Sequence, residues 1–289
     1  MPGENVSAIV KTEKENSMIT SLKNPWIKQV VALKDKRDRD RLGLFVVEGE
    51  KEFLHALSHG IVMETIFYCG EILPANTRLN SLPALQHAAA AVGGAAITDW
   101  VEVSPPVFAK MAYRDQDGGI IAVARIPENS LASMALSDVP LLLVLEGIEK
   151  PGNLGALLRT ADATGVDAVL LGDPAIDLYN PNVVRASLGA LFTVPTIVDS
   201  CESILRWLEE HHIQIVTAAP AASLSYTDID YTKPTAIVFG SEKAGLSPLW
   251  QQKPFPSVSI PMRGRMDSLN LSISGAILLY EAVRQRENR

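Results

Sequence analysis

Polar residues that could bind and orient a substrate are concentrated in three segments of the second half of the chain. The first segment, Leu145–Gly165, holds Asn153 and Arg159 in a largely apolar stretch. An arginine can grip a phosphate or stabilise a developing oxyanion, and an asparagine amide both donates and accepts hydrogen bonds. Arg159 is six residues after Asn153, so the two side chains would not lie on the same face of a helix. Both can serve one site only if Asn153 lies on the loop or cap. The alternative is a capping Asn153 and an ordinary surface arginine.

The second segment, Ile237–Ser247, is an apolar run that ends at Gly240 and continues as a polar loop containing Glu242. Open α/β sheets bind ligands in loops at the carboxyl ends of parallel strands, and glycine lets a ligand approach the backbone closely. The loop lacks the glycine patterns of a P-loop or a dinucleotide fold, which argues against a nicotinamide-dependent dehydrogenase. Glu242 also fits a purely structural role as an acid at a helix N-terminus.

The third segment, Ile260–Arg286, places a basic loop with Arg263 and Arg265 before an amphipathic helix. We expect this helix to begin at Leu269, with an apolar face made of Leu269, Ile273, Ala276, Ile277 and Tyr280.

Two polar residues stand at the expected start of that helix. Asp267 or Ser268 fits the capping position, and capping alone would account for Ser268. Asn270 falls in the first turn, where helix propensity gives it no advantage, so its presence points to a role in a site.

Length and composition limit the classes of protein to which this chain can belong. The chain has 289 residues, 47% hydrophobic and 20% charged, as in a globular protein of one large or two small domains. No apolar run is long enough to span a membrane, and the polar N-terminus is not a secretory signal. Cys69 and Cys201 form no pair motif, and five scattered histidines complete no zinc spacing. These features predict a cytoplasmic protein with reduced thiols and no bound metal.

A net charge of −7 argues mildly against nucleic acid as a partner, but basic residues cluster near the N-terminus. Seven basic residues between positions 23 and 41 outnumber three acids there. The cluster is either a solvated helix face or a surface that contacts RNA phosphates. With the basic loop of the third segment, the candidate RNA-binding residues are Lys23, Lys28, Lys36, Arg37, Arg39, Arg41, Arg263 and Arg265.

The pattern of elements divides the chain into a flexible tail (1–18), a compact α/β unit (19–126), a linker (127–139) and a second α/β domain (140–289). In the second domain strands alternate with helices, which predicts a mostly parallel sheet. The predicted strands are Leu141–Leu145, Ala168–Leu171, Gln214–Ala218, Ala236–Phe239 and Val258–Ile260. The predicted helices are Leu154–Thr164, Pro181–Ser187, Cys201–His211 and Leu269–Arg286.

In this order and with these gaps, the three segments resemble the motifs of the SpoU/TrmH branch of the SPOUT RNA methyltransferases. The resemblance covers residues 141–289 and rests on Asn153 with Arg159, on Gly240-Ser-Glu-Lys-Ala-Gly245, and on Ser268-Leu-Asn-Leu-Ser272. A shorter likeness, Phe45-Val-Val-Glu-Gly-Glu-Lys51, relates the first half to the ribosomal-protein-like RNA-binding domain that many members carry.

The resemblance implies a deep trefoil knot that holds S-adenosylmethionine mostly through backbone groups, and a homodimer with its site near the subunit interface. By position, Gly240, Ile260, Met262 and Leu269 would line the cofactor pocket. The helix after Asn153 and the apolar face of the last helix are the expected dimer contacts, or else part of the core.

The implied reaction is methyl transfer to a ribose 2′-hydroxyl of a structured RNA. Arg159 would grip a phosphate and stabilise the developing alkoxide, since guanidinium does not readily act as a base. Asn153 and Ser268 would position the ribose or Arg159, Glu242 would orient Arg159 or Asn153, and Asn270 would brace the knot loop. The expected substrate is ribosomal RNA of the 23S type. The alternatives are transfer RNA and a catalytically silent RNA-binding or ribosome-assembly protein of the same fold.

Overall fold

The computed structural model describes residues 18–73, 82–91, 99–113 and 118–287. The tail predicted at 1–18 lies outside these residues apart from its last one. The chain divides into two compact units between Ile126 and Pro127. Among the described residues, no helix is both long and apolar enough to cross a membrane.

The first unit is a four-stranded sheet flanked by helices, with strand order β1-β4-β2-β3. Among the strands described in this unit, β2 and β3 pair in parallel, whereas β4 runs antiparallel to both of its neighbours. Its strands are β1 (Leu44–Glu48), β2 (Met63–Tyr68), β3 (Trp100–Glu102) and β4 (Ile120–Arg125). Its helices are α1 (Pro25–Ala32), α2 (Lys36–Leu42), α3 (Glu50–Ser58), α4 (Leu82–Ala91) and α5 (Pro105–Met111).

The basic segment of this unit folds as α1 and α2, which present most of their basic side chains to solvent. One predicted RNA contact is wrong, because the side chain of Arg39 is only 2% exposed. Its guanidinium donates a 2.7 Å hydrogen bond to the carbonyl of Leu33, at the turn between the two helices. A buried carbonyl at a helix end needs a donor, so Arg39 serves the turn and cannot reach a phosphate.

The second unit is built on a seven-stranded, entirely parallel sheet with the order β7-β6-β5-β10-β8-β11-β9. The five predicted strands are all present. The short strands β7 and β9 were not predicted, because β7 follows a proline closely and β9 has two residues. The strands are β5 (Leu141–Glu146), β6 (Ala168–Gly172), β7 (Thr196–Asp199), β8 (Gln214–Ala218), β9 (Leu224–Ser225), β10 (Thr235–Phe239) and β11 (Ser257–Ser259).

Helices cover both faces of this sheet. The connection from β5 to β6 and the connection from β7 to β8 run in opposite directions across the sheet, so right-handed crossovers place their helices on opposite faces. The helix of the second connection packs on alternate residues of the central strands, such as Leu142 and Val144. The helices are α6 (Pro151–Ala163), α7 (Pro181–Ala186), α8 (Ala190–Thr193), α9 (Cys201–Glu210), α10 (Pro248–Gln251) and α11 (Leu271–Glu287).

The boundaries of α6 and α11 differ from those predicted. Helix α6 begins at Pro151, so Asn153 lies inside its first turn rather than on the loop or cap, because proline is well suited to the first helical position. Helix α11 begins at Leu271 and Asn270 caps it, accepting a 2.9 Å hydrogen bond from the backbone N–H of Ser272. The predicted caps, Asp267 and Ser268, lie before this position.

The buried face of α11 also differs from the predicted one. Leu278, Leu279 and Ala282 are buried, whereas Ile273 and Tyr280 are more than half exposed. The apolar stripe read from the sequence therefore lies at the surface of this chain, and the core-facing residues are offset from it.

The segment predicted as a linker contributes to the core of the second unit. Leu131 is buried there, and Met134 and Leu136 pack against the same cluster. The backbone N–H of Ser137 donates to Asp167 at 2.9 Å.

Candidate active site

A cavity of about 510 Å³ opens at the carboxyl ends of β8, β10 and β11. Its volume lies in the range of small-molecule sites. Loops from three parts of the second unit line it, and the four predicted cofactor-binding residues are among them: Gly240, Ile260, Met262 and Leu269. Glu242, Ser268 and Asn270 also line the cavity, so the second and third segments meet at one place.

The structure explains the glycine at position 240 by contact with the protein's own backbone, and not by the approach of a ligand that the sequence suggested. A Cβ at this position would lie 2.1 Å from the carbonyl carbon of Gly245. The loop closes on itself there, with paired backbone hydrogen bonds of 2.9 and 3.0 Å between Ser241 and Gly245. Glycine at position 240 thus makes room for the loop's own backbone.

Three predicted site residues form one hydrogen-bonded chain at the edge of the cavity. The Nδ2 of Asn153 donates to the Oε1 of Glu242. The Nδ2 of Asn270 donates to the Oδ1 of Asn153 at 3.1 Å. Asn270 in turn accepts from the hydroxyl of Ser272 at 2.7 Å. The three segments recognised in the sequence are therefore joined through their polar side chains.

Two ion pairs join the loop after β5 to the loop after β10. Lys150 pairs with the second carboxylate oxygen of Glu242. Lys243 pairs with Glu149 at 3.0 Å. Both lysines are largely exposed, so these pairs orient the loops and contribute little stability.

A third link between the same loops is made by Glu146 at the end of β5. Its Oε2 accepts a 2.7 Å hydrogen bond from the backbone N–H of Ser247, where the loop after β10 ends. Its Oε1 lies 3.5 Å from the sulfur of Cys201. Burial, reinforced by Asp173 and Glu146, raises the pKa of the Cys201 thiol, so this cysteine stays protonated and can act as the donor.

Arg159 is not part of this hydrogen-bonded chain. It is exposed on α6, six residues after Asn153, a distance of about 9 Å along the helix axis. Its guanidinium has no hydrogen-bond or ion-pair partner among the residues that the structure describes. It is therefore available to a ligand. Asn153 lies inside the helix and not on its cap, so the two residues cannot hold one small group together, but they can contact different parts of a ligand as extended as an RNA strand.

Every residue from Pro261 to Asn270 is exposed, including Ser268 and the two arginines of the basic loop. Met266 is the most exposed large apolar residue there, at 73%. This loop forms one edge of the cavity and offers cations and apolar surface to a bound molecule.

Comparison with known proteins places this site in a family. Residues 140–280 match the SpoU rRNA Methylase family, and residues 24–122 match the MRM3-like substrate binding domain. The 23S rRNA (uridine(2479)-2′-O)-methyltransferase of Streptomyces viridochromogenes is 30% identical over 276 residues, which cover 93% of this chain and 92% of that relative.

Solved structures agree with this match. A crystal structure of an RNA 2′-O ribose methyltransferase has a TM-score of 0.78 and 39% identity, covering 94% of this chain and 100% of that one. An AdoMet-bound rRNA methyltransferase from Sinorhizobium meliloti has a TM-score of 0.81 and 32% identity, covering 93% and 97%. The chain belongs to the SpoU rRNA methylase family. The resemblance seen in the sequence motifs is thereby confirmed, as is the α/β fold with a parallel C-terminal sheet.

Three residues of this SpoU-family site were not predicted from the sequence. Glu146, Glu149 and Lys150 all act by holding the loop after β10. The sequence held a signal for them, since Glu146 ends β5, Glu149 and Lys150 follow it, and β5 is the strand that pairs with β10. Ala218, Ala219 and Pro220, which follow β8 and line the cavity, were missed although β8 also borders β10.

Proposed function

We propose that this chain transfers a methyl group from S-adenosylmethionine to a ribose 2′-hydroxyl of ribosomal RNA of the 23S type. The observation that carries the proposal is the chain of Asn153, Glu242 and Asn270 at the mouth of the cavity. A binding protein without activity has no need to fix a set of polar side chains beside a small-molecule cavity. The family relatives named as 23S rRNA 2′-O-methyltransferases support the choice of RNA.

The residues around the cavity fit S-adenosylmethionine. The wall combines apolar side chains, such as Phe239 and Leu269, with exposed backbone of the loops after β10 and β11. A nucleoside with a charged amino-acid tail needs such a surface, apolar for the ring and polar for the rest. When bound, the cofactor supplies an electrophilic methyl group on a sulfonium. We propose that Gly240, Ile260, Met262 and Leu269 hold it.

The protein's own contribution is positioning and electrostatics. We propose that Asn153, held on both sides by Glu242 and Asn270, positions the target ribose with Ser268. Glu242 is engaged with Lys150 and Asn153, so it orients Asn153 rather than Arg159. A fixed hydrogen-bonding group lowers the entropy that must be lost to align a hydroxyl for in-line attack.

In this proposal Arg159 binds a phosphate group of the RNA. A 2′-hydroxyl is a poor nucleophile and loses its proton as the new C–O bond forms. A guanidinium stays protonated in proteins, so Arg159 stabilises the developing negative charge. The proton passes to an RNA phosphate or to water.

RNA affinity in this proposal comes from exposed cations of both units. Lys23, Lys28 and Arg37 are exposed on the first unit, and Arg263 and Arg265 on the second. Lys36 and Arg41 also reach solvent but are paired with Asp40 and Asp38 within α2. An exposed intrahelical pair is weak, so a phosphate can displace the carboxylate.

The proposal includes a homodimer, a trefoil knot and a cytoplasmic location. The exposed Ile273 and Tyr280 on α11 suit a dimer contact. The knot would be formed by the loops after β10 and β11 together with α11, which returns from the sheet edge to pack on α6 and β10. Ribosomal RNA is made and modified where ribosomes are assembled, which favours the cytoplasm.

The test is transfer of tritium from labelled S-adenosylmethionine into separate pools of ribosomal and transfer RNA, purified from cells that lack this gene. Alkali-resistant label in 23S RNA is the expected result, because a 2′-O-methyl group blocks alkaline cleavage. The Arg159→Ala variant should lose the label while binding the cofactor as tightly as the wild type.

Three other results would change the proposal. Label found in transfer RNA alone would mean that transfer RNA, and not ribosomal RNA, is the substrate. Label that persists in the Arg159→Ala variant would remove Arg159 from the mechanism. Absence of both label and cofactor binding would favour the silent RNA-binding alternative.

A further inference from the structure

We infer that Arg185 is a second phosphate-binding residue, which acts with Arg159 to hold the RNA backbone beside the target ribose. This inference rests on the proposed function and extends it to a residue outside the three motif segments. Arg185 lies in the last turn of α7, a helix that packs directly on α6.

The contact between the two helices is unusually close. A Cβ at Gly155 would lie 2.4 Å from the Cβ of Ala186 and 2.5 Å from its carbonyl carbon. The backbone of the last turn of α7 is thus fixed against the first half of α6. Arg185 immediately precedes Ala186, so its position relative to α6 is set by backbone packing.

This contact brings the two arginines into the same region. Arg159 follows Gly155 by four residues, about 6 Å along the helix and on the same side of it. Arg185 is the residue before Ala186, which forms the other side of the contact with Gly155. Two arginine side chains rooted this close together can reach neighbouring phosphates of one strand.

Neither guanidinium is bound by the described residues of the protein. Within the part of the chain that the structure describes, Arg159 and Arg185 have no hydrogen-bond or ion-pair partner. In the same unit, Arg284 pairs with Glu281 and Arg286 binds four backbone carbonyls. The chain carries a net charge of −7, so two arginines on packed helices that no described carboxylate neutralises suit an external anion.

The end of α7 is held in a specific conformation. The buried Ser187 hydroxyl donates to the carbonyl of Val184 at 2.7 Å. Leu188 follows with φ 50° and is 53% exposed, and Gly189 has φ 96°. A non-glycine residue in the left-handed region costs energy and is kept where the surrounding structure requires it. The strained turn fixes where α7 ends, at Ala186, one residue after Arg185.

The chemistry of the partner follows from the guanidinium pair. Arginine binds phosphate oxygens through parallel N–H groups and remains charged at all working pH values. Phosphate contacts fix register and orientation without reading the sequence. Arg159 and Arg185 would therefore each bind one phosphate and hold the target ribose between them. Other residues would select the base.

The first test measures salt-dependent binding of protein-free, radiolabelled 23S RNA by Arg185→Gln, Arg185→Lys and Arg206→Gln. Arg206 is the matched control, since it is an exposed arginine on α9, which covers the opposite face of the sheet, and it has no hydrogen-bond or ion-pair partner among the described residues. Removing one phosphate contact should lower the slope of log K against log[KCl] by about one and weaken binding about tenfold. Arg185→Lys should keep most of the slope, and Arg206→Gln should match the wild type.

A second measurement uses the unchanged protein, so it does not depend on how the variants fold. Phenylglyoxal modification is followed by mass spectrometry with and without 23S RNA. Arg159 and Arg185 should be protected by RNA, and Arg206 should not. Equal modification of Arg185 in both samples, or an Arg185→Gln slope equal to that of Arg206→Gln, would overturn the inference. Label transfer without that protection would leave the proposed function standing, whereas no RNA binding and no transfer would overturn both.

Discussion

The side-chain amide of Asn270 donates a 3.1 Å hydrogen bond to the side-chain oxygen of Asn153, 117 residues earlier in the chain. Asn270 also caps α11, so one side chain both ends a loop of the cavity and holds a residue of the first motif. The two functions can be separated, because capping needs only an acceptor and the contact with Asn153 needs a donor.

Asn270→Asp should keep the fold and lose most of the activity. An aspartate accepts from the Ser272 N–H as asparagine does and suits a helix N-terminus. It has no N–H for Asn153 and places negative charge against an oxygen. We expect a Tm within about 2 °C of the wild type and a kcat lower by about 10- to 100-fold. Single-turnover methyl transfer at saturating cofactor measures the loss, and an unchanged rate would contradict the proposed positioning of Asn153.

Glu146 should control cofactor affinity through Ser247. Glu146→Ala leaves the Ser247 N–H without its acceptor and frees the end of the loop that lines the cavity. A lost hydrogen bond to a carboxylate costs about 1.5–3 kcal/mol, so the Kd for S-adenosylmethionine should rise by about tenfold or more. Glu146→Gln retains an acceptor oxygen and should stay within about threefold. Isothermal titration calorimetry distinguishes them, and equal affinities for the two variants would refute the argument.

Two glycines of α6 form a matched pair for testing the close contact with α7. Gly155→Ala places a methyl group against the backbone of Ala186 and should destabilise the protein by about 1–3 kcal/mol. Gly152→Ala meets no atom within 4 Å and should be neutral or slightly stabilising. Thermal unfolding of both variants measures the difference. If Gly155→Ala were as stable as Gly152→Ala, the two helices would be less tightly fixed than described.

Arg286 should be a major stabilising residue of the C-terminal helix. Its guanidinium donates to the carbonyls of Tyr231, Val139, Pro140 and Lys233 at 2.8 to 3.1 Å. These carbonyls lie just before the central strands β5 and β10, so Arg286 joins the C-terminal helix to the middle of the sheet. Arg286→Met should lower the free energy of unfolding by about 2–3 kcal/mol, a typical value for hydrogen bonds to a charged group.

Lys253→Met is the control for Arg286→Met. It also removes a cation, but from a half-exposed pair with Glu209. Such pairs contribute about 0–1 kcal/mol, so the midpoint of urea unfolding of Lys253→Met should be close to that of the wild type. Equal effects of the two variants would mean that the Arg286 contacts are replaced by water at little cost.

Local patterns predicted the elements well where one signal dominated. The strands β5, β6 and β10 are almost wholly apolar and β8 is largely so, and their positions were predicted within a residue or two. The start of α11 was misplaced, because Asp267, Ser268 and Asn270 all suit a cap and no local rule chooses among them. The same ambiguity put Asn153 on the cap of α6, although proline at position 151 favours an earlier start.

The sequence by itself determined the order of the motifs and the types of group in the site, because these depend on residue identity and spacing alone. It also determined the parallel sheet, since the alternation of strands and helices allows few other arrangements. Only the tertiary structure decided that Glu242 binds Asn153 and Lys150, that Arg39 is buried, and that the helix carrying Arg185 packs on α6. Each of these depends on contacts between residues distant in the chain, which are fixed by how strands and helices pack and leave no periodic trace in the sequence.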